Sequence, residues 1–179
     1  LIEEAIGRIF GGMSRDPEFL CELVGAPKAT VTKGVPLLNL QRRRDMLIRA
    51  RWVPVMEHFE KALYENPGQD LNRTWWDLVH YYLGIAPPEN RAGRHAWAIH
   101  LDLALRPGQC HERLLSELIA SQLRAKMREA CGDQIVGNPK IGPWLIETLF
   151  RPGSTRNWID TLEAVTGDRL KTTFFLEDY

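Results

Sequence analysis

The sequence predicts an all-α protein. Apolar residues recur at intervals of three and four over most of the chain, proline and glycine mark the ends of these runs, and few stretches alternate as strands do. The 179 residues are 44% apolar and carry 23 basic and 23 acidic side chains, which is ordinary for a folded domain with a substantial core. We therefore expect an array of roughly eight helices.

Local end signals place the first two helices. Apolar periodicity predicts a helix from about Ile2 to Met13, and Gly11-Gly12 marks its end. A second, shorter helix should begin at Asp16-Pro17, because the aspartate can accept from free amides and proline is tolerated at the first helical position. Gly25 should end it.

A connector and a long helix come next. Residues 26–34 contain Pro27 and several β-branched residues, and we expect them to link two helices. The helical pattern then runs from about Pro36 to Glu65, and Asn66-Pro67-Gly68 ends it. Pro54 lacks an amide hydrogen, so it should kink this helix or divide it in two.

A tryptophan helix follows, from a cap at Asp70 to Leu83. Four of its residues have helical spacing and should be buried together: Trp75, Leu78, Val79 and Tyr82. Gly84 is placed to close the helix in a left-handed conformation, after which Pro87-Pro88 favours extended backbone.

The second half of the chain shows four more helical patterns and a tail, residues 171–179, whose structure the sequence does not define. They lie near residues 94–103, 110–130, 138–150 and 155–165, and Ser154 is the predicted cap of the last.

Charge and cysteine content narrow the class of protein. Balanced charge gives no argument for nucleic acid, and we interpret Arg42-Arg43-Arg44 as the solvated face of a helix. No stretch approaches the roughly 18 apolar residues of a membrane span, and no signal peptide is visible. Cys21, Cys110 and Cys131 suggest neither a disulfide framework nor a structural zinc site. We expect buried free thiols and a cytoplasmic setting.

Three segments, in the same order, resemble one family. Trp75-Trp76-Asp77-Leu78, continuing through Tyr82, Gly84-Ile85 and Pro87-Pro88 to Arg91, is similar to the C-terminal part of the zinc dipeptidyl carboxypeptidases of the angiotensin-converting-enzyme type. Glu4-Ala5-Ile6-Gly7 is similar to the motif whose glutamate is the third zinc ligand there, and Leu114–Leu123 resembles a helix of bacterial relatives. The resemblance implies a helical lobe that lines a deep peptide channel in a zincin fold.

The resemblance implies one metal ligand, Glu4, and a zinc ion that this sequence alone does not complete. The family's His-Glu-x-x-His motif supplies the other two ligands, and no two of the five histidines here are four residues apart. In the family this motif lies upstream. We therefore expect residues 1–179 to be a C-terminal lobe or fragment, inactive alone, with zinc bound only through an upstream segment. In the family an acidic residue one turn after this glutamate orients a zinc-bound histidine, and Arg8 stands in its place here, which argues against metal binding.

The substrate-facing candidates are Cys110, Arg113 and His100. The family has two tyrosines three residues apart, one for the substrate carboxylate and one for the oxyanion, where this chain has Cys110 and Arg113. A guanidinium can bind either anion, although Arg113 is equally well a surface residue. His100 matches a substrate-binding histidine after a three-residue shift, and His95 is the weaker alternative; the family's lysine is Ala98.

Other chemistries are less favoured. Cys110-His111-Glu112 contains the residue types of a cysteine protease, but neighbours on a helix point about 100° apart. Our leading hypothesis is the C-terminal portion of a zinc metallopeptidase-like protein, a gluzincin that cleaves dipeptides from oligopeptides. The alternative is a pseudoenzyme, a degenerate peptidase fold that serves peptide binding or protein interaction. A third possibility is an unrelated helical module that shares the tryptophan motif by chance.

Overall fold

The computed structural model describes residues 1–90 and 94–179, and within these ranges it is all-α, without a strand, as predicted. Its α-helices are α1 (Ile2–Met13), α2 (Lys28–Glu65), α3 (Leu71–Leu83), α4 (Asp102–Leu105), α5 (Glu112–Cys131), α6 (Ile141–Leu145), α7 (Trp158–Thr166) and α8 (Thr173–Asp178). Short π-helical turns cover Phe19–Leu23 and Ile146–Phe150, and 3₁₀ turns cover Ala96–Ile99 and Gly153–Thr155. Among the described residues, no helix combines the length and apolar character needed to cross a bilayer.

The chain divides into two compact units. The first contains Leu1–Arg42 and Leu115–Tyr179, and the second contains Arg43–Leu114. Because the boundaries fall inside α2 and α5, each of these two helices contributes residues to both units.

The core of the first unit forms where α1 packs on α5. Ala5 of α1 and Ala120 of α5 are both fully buried in one apolar cluster. Leu123 and Met127 of α5 are also fully buried, and each contributes roughly 1.5–3 kcal/mol through removal of apolar surface from water. Helices α6 and α7 and the turn between them add four further buried members: Ile141, Leu145, Leu149 and Leu162.

The core of the second unit forms where α2 packs on the tryptophan helix α3. Trp75 is 2% exposed and meets Phe59 edge to face, with ring centroids 5.0 Å apart. Val79 is buried beside it, and Leu78 and Tyr82 pack against the same cluster, so the predicted stripe of α3 is confirmed. Trp75, the first tryptophan of the motif, is thus a core residue.

Most local end signals act as predicted. Asp70 accepts from the Arg73 amide at 3.0 Å, and Gly84 closes α3 with φ of 68°. Asp16 accepts from the amides of Glu18 and Phe19, which begins the second helical segment. Arg91, the last residue of the tryptophan motif, lies outside the described residues.

The predicted connector before the long helix is wrong. Residues 26–34 do not link two helices, since α2 begins at Lys28. Of the two outcomes predicted for Pro54, division does not occur, because α2 continues unbroken from Lys28 to Glu65. Val31 is 7% exposed, and Val53 and Val55 are 4% and 0% exposed. Burial of these side chains stabilises helix where β-branching and proline disfavour it, since tertiary packing routinely outweighs local propensity.

The predicted cap of the last long helix is also wrong. Ser154 lies within the 3₁₀ turn Gly153–Thr155, and Asn157 caps α7 by accepting from the Asp160 amide at 2.9 Å. Both residue types are good caps, so the sequence alone favoured neither strongly. The tail, which the sequence left undefined, forms α8.

The cap of α3 gives a test of the fold. Asp70→Ala should lower the free energy of unfolding by about 1 kcal/mol, because it leaves helix amides without an acceptor. Asp77→Ala on the same helix is the control, since Asp77 is 73% exposed and makes only a surface ion pair. Urea unfolding followed by circular dichroism measures both. Equal losses in the two variants would contradict the capping role.

Candidate functional site

Glu4, the predicted zinc ligand, is held by an arginine of its own helix. It lies on α1 with its side chain 34% exposed, and its Oε1 accepts from Nη2 of Arg8 at 2.8 Å. Nε of Arg8 lies 3.4 Å from Oε2 of Glu117 on α5. Arg8 therefore links two carboxylates, one from α1 and one from α5, that are more than a hundred residues apart in sequence.

The described residues do not fit a zinc ion. No three histidine, cysteine or acidic side chains within residues 1–90 and 94–179 lie close enough to share a metal. The one carboxylate with a predicted ligand role, Glu4, already has a guanidinium as its partner. The positive charge of Arg8 disfavours a metal cation beside Glu4, because like charges repel at close range. Within the described residues, Glu4 therefore belongs to no group of three metal-binding side chains.

His100 lies among aromatic rings of the second unit. Its ring centroid is 4.9 Å from that of Trp75 and 5.1 Å from that of Trp52. Burial lowers the pKa of the His100 imidazole below its ordinary value of 6.5, and the negative charge of Asp102 opposes this effect. The imidazole is accordingly neutral at pH 7, which is the form that can both donate and accept.

Cys110 is a poor counterpart of a tyrosine. It is 5% exposed, and burial raises the pKa of its thiol to about 11, against the opposing charge of Arg113. The thiol therefore stays protonated at neutral pH, and only the thiolate is an effective nucleophile. The residue is a buried, neutral side chain at the start of α5, which does not favour a cysteine protease.

Arg113 is engaged by an acidic neighbour. Its Nη2 donates to Oδ1 of Asp102 at 2.6 Å, and the two side chains are 40% and 32% exposed. This charge-assisted bond fixes the guanidinium between the start of α4 and the start of α5. An incoming carboxylate would have to compete with Asp102 for it.

Two acidic residues of α2, which the sequence analysis missed, hold the chain just before α5. Glu60 accepts from the Gly108 amide at 2.6 Å, and Glu57 accepts from the His111 amide at 2.7 Å. Glu60 is only 5% exposed. Its immediate neighbours in sequence, Phe59 and Lys61, gave no signal of this role, because the acceptor function depends on a contact with a residue 48 positions away.

Three of the four predicted site residues share a unit. His100, Cys110 and Arg113 all belong to the second unit, and Asp102 acts electrostatically on both His100 and Cys110 while it binds Arg113. Glu4 belongs to the first unit. The structure thus groups the substrate-facing candidates and places the metal candidate in a separate cluster with Arg8 and Glu117.

Comparison with known proteins adds no assignment. No family model, no curated protein and no solved structure matches the chain.

The burial of Cys110 gives a kinetic test. Because a pKa of about 11 leaves about a hundredfold less thiolate at pH 8 than an ordinary pKa near 9 does, Cys110 should alkylate at least about a hundredfold more slowly in the folded protein than in denaturant. Mass spectrometry of iodoacetamide-treated protein resolves each cysteine. Half-buried Cys21 is the internal control. Alkylation of Cys110 at the rate of Cys21 would contradict this account.

The environment of His100 predicts a pH dependence. Since its folded pKa is lowered, the unfolded chain binds more protons just below pH 6.5, and stability should fall as pH drops through that value. His100→Gln removes the titrating group, so its free energy of unfolding should fall less between pH 7.5 and pH 5.5. Denaturant unfolding at both pH values, with His80→Gln as an exposed control on α3, measures the difference. Equal losses of unfolding free energy in wild type and His100→Gln would contradict a contribution of His100 to this pH dependence.

Proposed function

We propose that this chain is the C-terminal portion of a zinc metallopeptidase-like protein of the peptidyl-dipeptidase type, which binds oligopeptides with free carboxyl ends. The observation that carries the proposal is the packing of two family-like segments that are far apart in sequence. Ala5, within Glu4–Gly7, shares one core with Ile119 and Ala120, within Leu114–Leu123. A chance resemblance would not require these two segments to meet.

The candidate side chains of the second unit suit recognition of a peptide better than its cleavage. His100 can exchange hydrogen bonds with a peptide, and Arg113 carries the fixed positive charge that a carboxylate needs. Zinc and the family's catalytic glutamate would have to come from residues beyond these 179, because the described residues hold no metal-binding group of three. The chain would accordingly contribute substrate contacts to a larger protein.

The alternative, a degenerate peptidase fold that binds peptides without hydrolysis, is favoured by two observations. Arg8 forms an ion pair with Glu4, and Cys110 is buried where the family has a tyrosine. Loss of a single oxyanion donor costs about 10²–10³ in rate, and a protonated buried thiol does not replace it. Among zinc-peptidase-like proteins, we infer that this one is of the non-hydrolytic kind.

Experiments on the complete protein distinguish a hydrolytic protein from a non-hydrolytic one. The reading frame upstream of Leu1 is sequenced, and the purified product is assayed for zinc and for shortening of a nonapeptide by mass spectrometry. We expect saturable binding of the nonapeptide, weaker binding of its carboxyl-amidated form, and no release of dipeptides. Zinc with dipeptide release would instead support the active version. Absence of both binding and release would overturn the proposal.

A matched pair of variants assigns the binding to the proposed residue. Arg113→Gln should weaken peptide binding by about tenfold, because a charge-assisted hydrogen bond is lost. Arg106→Gln removes an exposed arginine of the same unit and should leave the affinity unchanged. Thermal unfolding of both variants confirms that they fold. Equal affinity in the two variants would exclude Arg113 from the site.

A further inference from the structure

A small cavity in the first unit is lined by an unusual number of arginines. It encloses about 140 Å³ beside α1, the turn after α1, the first half of α2, and α5. Four of its lining residues are arginines: Arg15, Arg42, Arg124 and Arg128. We call this the arginine cavity. It belongs to neither group of predicted site residues, and the proposed function does not use it.

One of these guanidinium groups, that of Arg124, is withdrawn from water without full hydrogen bonding. Arg124 is 8% exposed, and neither its Nε nor its Nη2 has a hydrogen-bond acceptor among the described residues. Nη2 of Arg42 is also buried without an acceptor. Buried guanidinium donors are costly to leave unused, because desolvation is not compensated.

Asp178, the acidic neighbour of Arg42 and Arg124, already contacts both arginines and a serine. Oδ2 of Asp178 lies 2.9 Å from Nη2 of Arg124 and 3.3 Å from Nη2 of Arg42, which are ion-pair contacts without hydrogen-bond geometry. The same oxygen accepts from Oγ of Ser121 at 2.9 Å. One carboxylate oxygen thus contacts three donor groups. Both guanidinium groups therefore retain N–H donors that can bind a further acceptor.

The charge of the lining is strongly positive. Asp16 is the single acidic residue among the lining residues, and its Oδ1 already accepts from the amides of Glu18 and Phe19. Arg15 and Arg128 are exposed and make no ion pair within the described part of the chain. Even with Asp178 counted, positive charge exceeds negative charge at the cavity, so an added anion would be stabilised.

We propose that the arginine cavity binds a phosphate group, either inorganic phosphate or a small phosphomonoester. A dianion matches the excess positive charge better than a monocarboxylate does, and its oxygens can accept from several guanidinium forks at once. The volume of about 140 Å³ is well below the roughly 300–1,000 Å³ of pockets for drug-sized ligands, so the phosphate carries a small substituent or none.

The two exposed arginines allow a test that spares the core. Isothermal titration at constant ionic strength measures binding of inorganic phosphate and of phosphoserine to wild type, Arg15→Gln and Arg128→Gln. Each substitution should weaken the tighter of the two ligands by about tenfold, because a charge-assisted contact is lost. The relative affinity of the two ligands shows whether free phosphate or an ester is the natural form.

Arg43→Gln is the matched control. Arg43 is exposed, follows Arg42 directly on α2 and does not line the cavity, so its loss should change affinity by less than about twofold. Thermal unfolding should be unchanged in all three variants. No saturable phosphate binding to wild type would overturn the proposal, and so would an equal loss in Arg43→Gln. Equally tight binding of acetate or chloride would exclude a phosphate-selective site.

Discussion

The packing of α1 on α5 is the contact on which the first unit depends. Ala5 of α1 and Ala120 of α5 are both fully buried in one cluster, and Arg8 lies between Glu4 on the first helix and Glu117 on the second. Glu117 is 6% exposed, so its charge is partly desolvated and needs this partner. Tyr179 completes the arrangement by donating to Glu117 at 2.6 Å, which ties the end of the chain to α5.

Polar groups near the predicted site are largely satisfied within the chain. Glu4 is paired with Arg8, and Arg113 is paired with Asp102. The amides just before α5, which would otherwise attract an anion, are bound by Glu57 and Glu60. Such pairing stabilises a scaffold and leaves few groups for chemistry, which is why the non-hydrolytic version of the proposed function is favoured. The arginine cavity is the exception, because its donors exceed its acceptors.

The sequence predicted what local signals determine. The bounds of α3 follow from periodicity with a nearby cap and a closing glycine, those of α1 follow from periodicity, and the burial of Trp75 follows from helical spacing. Prediction from sequence failed where contacts between residues far apart in sequence determine the local structure. The helix at Val31 depends on tertiary burial, and Arg42, predicted to be solvated with its neighbours, is half-buried with its guanidinium 4.3 Å from the Tyr179 ring centre. The Arg113–Asp102 and Gly108–Glu60 contacts were equally invisible without the fold.

A double-mutant cycle between Arg8 and Glu117 tests most directly whether α1 and α5 pack against each other. The free energy of unfolding is measured for wild type, Arg8→Gln, Glu117→Gln and the double variant; glutamine can still accept from Tyr179. Residues within one ionic network couple by about 0.5–3 kcal/mol, and we predict a coupling of about 1 kcal/mol for this pair. Losses that add to within about 0.3 kcal/mol would contradict the packing and remove the main support for the proposed kinship.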